Sequence, residues 1–468
     1  EIKMNVYGVQ VDIKNVPELD PTFVPLHVFN REFLKTAKKP IAVAVERSGG
    51  LISVYDTFIH GTPEMAEADN YYVDRLVKFL LWARGGFKVY ICGDENVYEY
   101  VKKTYSPDGA RAFDYDFMEQ VYERKFEVVN VPNLADKPAA NEKSKAIGKH
   151  LDGNRIGFDA GGSDRKVSAV VNGEAIFSEE TVWLPKVNPD PDYHFDGIVE
   201  SMKMAAEKMP DVDAIGVSSA GIYIDNRTMV ASLFLKVPKD AFNAKVKDIY
   251  LRAADEISKM VGHPVPIEVV NDGDVTALAG AMNLNDVDVL GIAMGTSEAV
   301  GYVDKDGNIT GWLNELAFAP VDAQPDAMED EWSGDIGCGV KYFSQDGVIK
   351  LAKPAGIELD ENATPAEKLK VVQGLMKDDD PRAVKVYESL GVYLGHTLAL
   401  YADFYEIRHC LLLGRVMSGK GGDLILKVAK EVLASEYPEI QMNAQTPDEK
   451  MKRVGQSVAA ASLPEIRK

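Results

Sequence analysis

The sequence has few cysteines and no long apolar stretch. Its 468 residues include three cysteines, Cys92, Cys338 and Cys410, which lie far apart and show no C-x-x-C spacing. Neither a disulfide framework nor a four-cysteine zinc site is therefore supported. No apolar run approaches the roughly 18 residues of a membrane-spanning helix. No signal-peptide pattern opens the sequence as given, so we expect a cytoplasmic protein.

Basic residues are also scarce relative to acidic ones. The chain has 52 lysines and arginines against 73 aspartates and glutamates, a net charge of −21. This excess argues against nonspecific binding to nucleic acid or to anionic membranes, although local sites for phosphorylated ligands remain open. The histidines form no cluster with metal-ligand spacing and are interpreted as structural: His27, His60, His150, His194, His263, His396 and His409.

One stretch, residues 156–171, organises the rest of the chain. An apolar run ends in Asp159, Gly161-Gly162-Ser163 follows, and a second apolar run begins. This pattern predicts a β-hairpin with a tight turn. Backbone N–H groups of glycines can approach phosphate oxygens, and a nearby carboxylate can hold the accompanying metal. Alone, the motif favours an ordinary hairpin turn.

The same pattern occurs a second time. Val289–Met294 is an apolar run, Gly295-Thr296-Ser297 predicts a turn, and Ala299–Val303 is a further apolar run. A duplicated strand–turn–strand unit predicts two related lobes that face each other across a cleft.

The remaining periodicity predicts an α/β protein. Residues 1–150 contain a predicted hairpin over 41–55, a helix over 72–82 and a polar linker over 134–154. Further on, the pattern predicts a helix over 245–261 that is closed by Gly262.

Two strand ends carry the remaining candidates for chemistry. The strand predicted over 265–270 stops at Asn271-Asp272-Gly273, and another ends at Leu413 before a glycine-rich loop over 414–422. Open α/β sheets place ligands at strand ends. Phosphoryl transfer needs positioned phosphates, a metal and a base for the attacking hydroxyl. Asp272 suits the base, although a simple Asn-Asp-Gly turn is the alternative; Asp274 is expected to cap the following helix.

These motifs, in this order, resemble the ROK family of bacterial sugar kinases within the actin/hexokinase superfamily. The resemblance covers roughly residues 155–468 and is carried by five segments: Asp159–Ser163, Gly216–Gly221, Val270–Ala279, Gly291–Thr296 and Leu411–Gly414.

The resemblance implies a fold of two ribonuclease H-like lobes with an interlobe cleft, here preceded by an extra N-terminal α/β portion. We expect that portion over 1–150, a smaller lobe over 151–270 joined by a C-terminal helix within 445–468, and a larger lobe over 271–444. The last helix is predicted over 449–461, packed on the first lobe.

It also implies an ATP-dependent sugar kinase that uses Mg²⁺. In that interpretation Asp272 is the general base, Asn271 and Glu315 bind the sugar, and Asp159 organises Mg²⁺ through water. The implied nucleotide-binding residues are Gly161, Gly162, Ser163, Gly295, Thr296, Gly414, Gly419, Gly421 and Gly422. The expected partner is a small-molecule sugar, with no nucleic acid or membrane; a homodimer is left open.

The sequence departs from the family pattern at three places. Ala317-Phe318 stands where the family has Gly-His, and the zinc cysteine cluster is reduced to Cys338, so no zinc site is expected. Glu298 places a carboxylate beside the second turn, where it would repel phosphate unless a metal bridged them. These departures leave open a catalytically inactive sugar- or nucleotide-binding regulator of the same superfamily.

Overall fold

The computed structural model describes residues 1–143, 145–448 and 454–466. Strands and helices alternate along most of this length. The strands are β1 (Ile2–Val6), β2 (Val9–Ile13), β3 (Lys39–Arg47), β4 (Leu51–Ile59), β5 (Lys88–Cys92), β6 (Glu127–Val131), β7 (Asn154–Ala160), β8 (Asp164–Val171), β9 (Glu174–Val182), β10 (Ala214–Ser219), β11 (Ile222–Ile224), β12 (Arg227–Val230), β13 (Ile267–Asn271), β14 (Val289–Met294), β15 (Glu298–Val303), β16 (His409–Leu413) and β17 (Asn443–Gln445).

The helices lie between these strands and cover their faces. They are α1 (Leu26–Thr36), α2 (Ala66–Ala83), α3 (Glu95–Thr104), α4 (Ala112–Tyr122), α5 (Pro191–Ala206), α6 (Lys239–Ala241), α7 (Ile249–Val261), α8 (Asp272–Leu284), α9 (Gln345–Ala352), α10 (Pro365–Lys377), α11 (Pro381–Ala402), α12 (Gly419–Glu436) and α13 (Gln456–Ala461). None of the helices in the described ranges is long and apolar enough to cross a membrane.

The chain divides into two compact units. Unit 1 comprises residues 1–143, 292–300 and 312–446, and unit 2 comprises residues 144–291, 301–311 and 447–468. This division differs from the expected one. The N-terminal portion up to residue 143 is part of unit 1, whereas residues 145–150, 271–291 and 301–311 belong to unit 2. Residues 271–291 do so because α8 continues directly from β13 and packs beside α13.

Unit 2 is built on a five-stranded sheet with the order β13-β10-β7-β8-β9. β7, β8 and β9 are antiparallel neighbours, whereas β10 is parallel to β7 and β13 is parallel to β10. The hairpin predicted over 156–171 is therefore confirmed. Three antiparallel strands followed by two parallel ones form the ribonuclease H-like arrangement expected of the first lobe.

Apolar side chains of α5 and α7 cover one face of this sheet. Met202 and Ile257 are fully buried there with Phe158 and Val217 from the strands. Gly262 ends α7 in the left-handed conformation (φ 82°), as the sequence predicts for a C-terminal cap. The helix begins at Ile249 rather than Lys245, because Phe242–Val246 forms a π-helical turn before it.

The short helix α13 packs on the sheet of unit 2 through two glycines. A Cβ atom on Gly157 would lie 1.7 Å from the Ser457 carbonyl oxygen, and one on Gly216 would lie 1.6 Å from that of Ala460. Only glycine permits this approach, so β7 and β10 are shaped to receive α13. The helix predicted over 449–461 begins in this structure at Gln456; residues 449–453 lie outside the described ranges.

Unit 1 contains a sheet with the order β4-β3-β5-β6, covered by α2. β3 and β4 form the predicted hairpin, and the helix predicted over 72–82 is α2. A further four-stranded sheet has the order β15-β14-β16-β17, in which β16 and β17 are parallel. The α/β class expected from the sequence is confirmed.

Candidate functional site

The first glycine turn, Gly161–Ser163, joins β7 to β8 in unit 2. Neither of its glycines has a positive φ. They are needed instead because neighbouring atoms lie close to the place that a Cβ atom would occupy. A Cβ atom on Gly161 would lie 2.5 Å from the Asp164 carbonyl oxygen. Trp183 fixes the turn, since its indole N–H donates to the Gly161 carbonyl (2.8 Å) and its backbone N–H to that of Ser163 (3.1 Å). The turn is therefore held in one conformation before any ligand arrives.

Asp159 lies one residue before the end of β7. Strand register pairs it with Ser218 on the parallel neighbour β10, so both side chains lie on the same face of the sheet. Burial raises the pKa of the Asp159 carboxyl to about 6, against a hydrogen bond from Ser218 that lowers it, and the charge of Asp272 adds to the rise. Two carboxyl groups thus interact at the carboxyl edge of these strands.

Asn271 and Asp272 lie at the junction of β13 and α8. The Asn271 side chain accepts a hydrogen bond from the Gly273 N–H (2.8 Å) and donates to the Gly221 carbonyl (2.6 Å). Asn271 is thus the helix cap. The expectation that Asp274 caps the helix is wrong: Asp274 is buried and accepts a hydrogen bond from the Tyr302 N–H (3.0 Å). This arrangement fixes the backbone that carries Asp272.

Lys186 is a functional candidate that the sequence interpretation missed. A Cβ atom on Gly162 would lie 3.0 Å from the Lys186 Nζ. Burial raises the pKa of the Asp272 carboxyl, and the positive charge of Lys186 opposes that rise. The side chain is exposed and forms no hydrogen bond or ion pair with any described residue. A free cation therefore lies beside the glycine turn, and its charge acts on the candidate base.

Gln456, the first residue of α13, is a second residue that was missed. Its amide nitrogen donates to the Asp272 carbonyl oxygen (2.8 Å) and to the Ser218 hydroxyl (3.0 Å), and its amide oxygen accepts from Thr276 (3.1 Å). One side chain thereby ties β10 to the start of α8. A glutamine in the sequence gives no sign of this, since its partners lie about 180 to 240 residues earlier.

The second turn, Gly295–Ser297, belongs to unit 1. The Gly295 N–H donates to the Ser297 carbonyl (3.0 Å), and the Gly295 carbonyl accepts from the Gln345 N–H (2.8 Å). Arg415, which follows β16, donates to the Thr296 hydroxyl (2.9 Å). This turn therefore also has an exposed cation beside it, although Arg415 is not one of the residues selected from the sequence.

The four glycines after β16 divide into two pairs. Gly414 has a left-handed φ of 91°, and a Cβ atom there would lie 2.3 Å from the Met294 carbonyl oxygen; Gly419 also has a positive φ of 65°. Gly421 and Gly422 are buried in α12, where Cβ atoms would collide with Tyr387 and Met417. The loop expected over 414–422 is wrong in extent, because close packing favours helix from Gly419 onward.

Glu298 does not present the repulsive charge expected beside the second turn. Its side chain is 4 % exposed, and its Oε2 atom accepts a hydrogen bond from the Tyr401 hydroxyl (2.7 Å). Burial raises the pKa of this carboxyl to about 8, so it is largely protonated at neutral pH. The sequence shows a charged residue type there, whereas the interior of unit 1 keeps it neutral.

Glu315 is half-buried, and its backbone N–H donates to the Trp82 carbonyl at the end of α2 (2.9 Å). Ala317 and Phe318, which stand in place of Gly-His, form the next helical turn, where Phe318 packs on Trp82. Cys338 is buried and unbonded to another cysteine. Over residues 1–143, 145–448 and 454–466, no three His, Cys, Asp or Glu side chains are grouped as metal ligands.

The five-stranded sheet of unit 2 therefore brings together six of the residues selected from the sequence: Asp159, Gly161, Gly162, Ser163, Asn271 and Asp272. The others, Gly295, Thr296, Glu315, Gly414, Gly419, Gly421 and Gly422, belong to unit 1.

Comparison with known proteins gives structural neighbours alone. No protein-family model matches the chain, and no curated protein matches it. A ROK family glucokinase from Streptomyces griseus, solved with glucose and AMPPNP, is 21% identical, with 66% of this chain and 98% of that chain covered and a TM-score of 0.45. The ROK hexokinase from Thermus thermophilus is 15% identical, with coverages of 66% and 96% and a TM-score of 0.49.

A ROK family transcriptional regulator, a homologue of the E. coli MLC protein, is 17% identical, with coverages of 70% and 82% and a TM-score of 0.48. The chain's structural neighbours are ROK family proteins. Kinases and a regulator both occur among them, and at these identities and TM-scores none assigns an activity to this chain.

Proposed function

We propose that this protein is an ATP-dependent kinase that transfers the γ-phosphoryl group to a hydroxyl of a sugar or a sugar-like polyol. The observation that carries the proposal is the convergence at the carboxyl edge of β7, β10 and β13. There Asp159 and Asp272 interact electrostatically, and Lys186 lies beside the Gly162 turn with its charge acting on Asp272. Two carboxylates, a cation and bare backbone amides are the parts that phosphoryl transfer uses.

Asp272 is proposed to be the general base. Burial raises the pKa of its carboxyl, which makes it a stronger proton acceptor than an exposed aspartate, and the charge of Lys186 opposes that rise. The hydroxyl proton of the sugar would pass to this carboxylate as the oxygen attacks the γ-phosphorus. Asn271, whose backbone and amide are fixed by Gly273 and Gly221, and Glu315 are proposed to bind the sugar.

The glycine turns are proposed to bind the nucleotide. In unit 2 the backbone amides of Gly161, Gly162 and Ser163 would donate to phosphate oxygens. Lys186 would supply the positive charge opposite the phosphates. In unit 1 we assign the same role to Gly295 and Thr296 with Arg415, and we place the adenosine near Gly414 and Gly419. The buried positions of Gly421 and Gly422 support packing of α12 rather than direct contact with a ligand.

The residues at the first turn also fit a magnesium ion. The raised pKa of Asp159 reflects burial and the neighbouring charge of Asp272. A bound cation would offset both the desolvation of the carboxylate and its repulsion by Asp272. Mg²⁺ is usually held by one or two carboxylates together with substrate phosphates and water, which this donor set can supply. When bound, it would neutralise phosphate charge, and Asp159 is the residue proposed to hold it.

A coupled assay of ADP release over a panel of sugars tests the proposal. We expect sugar-dependent and Mg²⁺-dependent ADP release with at least one member of the panel. The alternative, an inactive binding protein, is favoured by Phe318, which stands where the ROK family has a histidine and whose ring packs on Trp82. Sugar binding by calorimetry without ADP release for any sugar would contradict the kinase and support that alternative.

A further inference from the structure

A cavity lies wholly within unit 1 and is lined by none of the residues of the candidate site. Its volume is 430 Å³, within the range of small-molecule pockets. One face of α2 supplies Glu67, Asn70, Tyr71, Asp74 and Arg75, at the helical spacing i, i+3, i+4, i+7 and i+8. The remaining walls are Tyr7, Tyr100, Arg111, Asp322 and Ile336. One polar face of α2 thus lines a cavity that is open to solvent.

The arginines that line this cavity belong to a network of buried ion pairs, which Lys78 extends by pairing with Asp335 (2.9 Å). Asp74 pairs with Arg75 (3.3 Å) and Arg111 (3.1 Å), and Asp335 pairs with the same two arginines (3.0 and 2.9 Å). The carboxylates hold the pKa of both guanidinium groups above its ordinary value. A small anion entering the cavity would therefore meet arginines that are already neutralised, beside carboxylates that repel it.

The rim offers hydroxyl and amide groups without partners. The side-chain polar atoms of Tyr7, Asn70, Tyr71 and Tyr100 form no hydrogen bond with the residues that the structure describes, and neither does the carboxylate of Glu67. The rings of Tyr7 and Tyr71 stack with centroids 4.0 Å apart. Tyr7 holds a left-handed φ of 49° at the β1–β2 turn, a conformation that glycine or asparagine adopts more readily.

We propose that this cavity binds a neutral, hydroxyl-rich ring, a monosaccharide or a cyclic polyol. Both arginines of the lining are already paired with carboxylates, so they offer no unpaired charge to an anion. Burial raises the pKa of the Asp322 carboxyl to about 7, so this wall is partly neutral. A hydroxyl group donates and accepts at once, so it can satisfy neighbouring donors and acceptors without carrying a charge. Tyrosine rings add rigid apolar area against the C–H face of such a ring. The site lies outside the residues assigned to catalysis.

Calorimetry with the full chain tests the proposal, using D-glucose, N-acetyl-D-glucosamine and myo-inositol as neutral probes, choline as the cationic probe and inorganic phosphate as the anionic one. We expect at least one neutral probe to bind. Asn70→Leu and Tyr100→Phe, both at the rim, should each weaken that binding by about ten-fold, the cost of losing one hydrogen bond to the ligand. The matched control is Asn362→Leu, which changes an exposed loop residue.

A third variant, Asn271→Leu, distinguishes binding at this cavity from binding at the proposed catalytic sugar site. It should leave binding at the unit 1 cavity unchanged. Neutral-probe binding that survives both rim variants but is lost in Asn271→Leu would overturn the cavity assignment while supporting the kinase. Binding of choline or phosphate that the rim variants abolish, or no binding of any neutral probe, would also overturn it. Thermal unfolding of each variant checks that the fold is retained.

Discussion

Gln456 donates a hydrogen bond to the backbone carbonyl of Asp272 at 2.8 Å. The same amide nitrogen bonds to Ser218, so α13 holds the end of β10 and the start of α8 in fixed relation. The candidate base is therefore positioned by a residue at the far end of the chain. Gln456 makes this contact with the backbone of Asp272 and not with its carboxylate.

Replacing Gln456 tests this positioning role. In Gln456→Leu we expect kcat to fall by about ten-fold with little change in the KM for the sugar, because the base moves while the binding groups remain. Gln456→Asn, which keeps an amide, should recover part of the loss. Steady-state kinetics would contradict the assignment if KM rose and kcat stayed at the wild-type value.

Lys186 offers a test with two independent readouts. Lys186→Met should raise the KM for ATP by about ten-fold or more, since a charge-assisted contact to phosphate is lost. Because its charge lowers the pKa of Asp272, its removal should also shift the acid limb of the kcat/KM profile to higher pH. Lys203→Met, an exposed lysine of the same unit, is the control. If neither the acid limb of the profile nor the KM for ATP changes in Lys186→Met, Lys186 does not have this role.

The glycines under α13 give a prediction about stability. Gly216→Ala places a Cβ atom 1.6 Å from the Ala460 carbonyl oxygen, so we expect the free energy of unfolding to fall by about 1–3 kcal/mol or more. Activity should fall with it, because Gln456 lies on the displaced helix. Gly374→Ala, where nothing lies within 4 Å of the new Cβ atom, should instead stabilise its helix by about 1 kcal/mol. Urea denaturation of both variants measures the contrast.

Glu298 gives a prediction about pH. Its pKa is about 8 in the folded protein against an ordinary value of 4.5. Between these values the folded chain binds more protons than the unfolded one. The free energy of unfolding therefore falls as pH rises, by up to about 1.4 kcal/mol per unit, and levels off above about 8.

Glu298→Gln removes this titration. Melting temperatures should show wild type losing stability relative to the variant between about pH 5 and about pH 8. Glu361→Gln, at an exposed acid of unit 1, should track wild type throughout. Parallel melting curves for Glu298→Gln and wild type would mean that Glu298 is not buried as a neutral group.

The sequence predicted the elements that depend on local pattern. The hairpin at Asp159, the strand that ends at Asn271 and the glycine cap at Gly262 follow from apolar periodicity and turn chemistry, which act over a few residues. Asp159 and Asp272 could be predicted to lie at the same edge of a sheet, because parallel strands align their carboxyl ends.

What the sequence could not predict depends on tertiary contact. Lys186 and Gln456 reach the site from a loop and from the last helix, and no local pattern marks either one. Glu298 was interpreted from its charge, although burial against Tyr401 sets its protonation. Gly419 begins a helix despite the low helix propensity of glycine, because α12 packs too closely for larger residues at Gly421 and Gly422.

The central claim is that the Asp272 carboxylate accepts the proton of the attacking hydroxyl, and one pair of variants tests it most directly. ADP release should be measured for Asp272→Asn beside Asp255→Asn, which changes an exposed acid on α7 of the same unit. We predict that Asp272→Asn lowers kcat by about 10²-fold or more while ATP binding is retained, and that Asp255→Asn matches wild type. Wild-type turnover in Asp272→Asn would contradict the account.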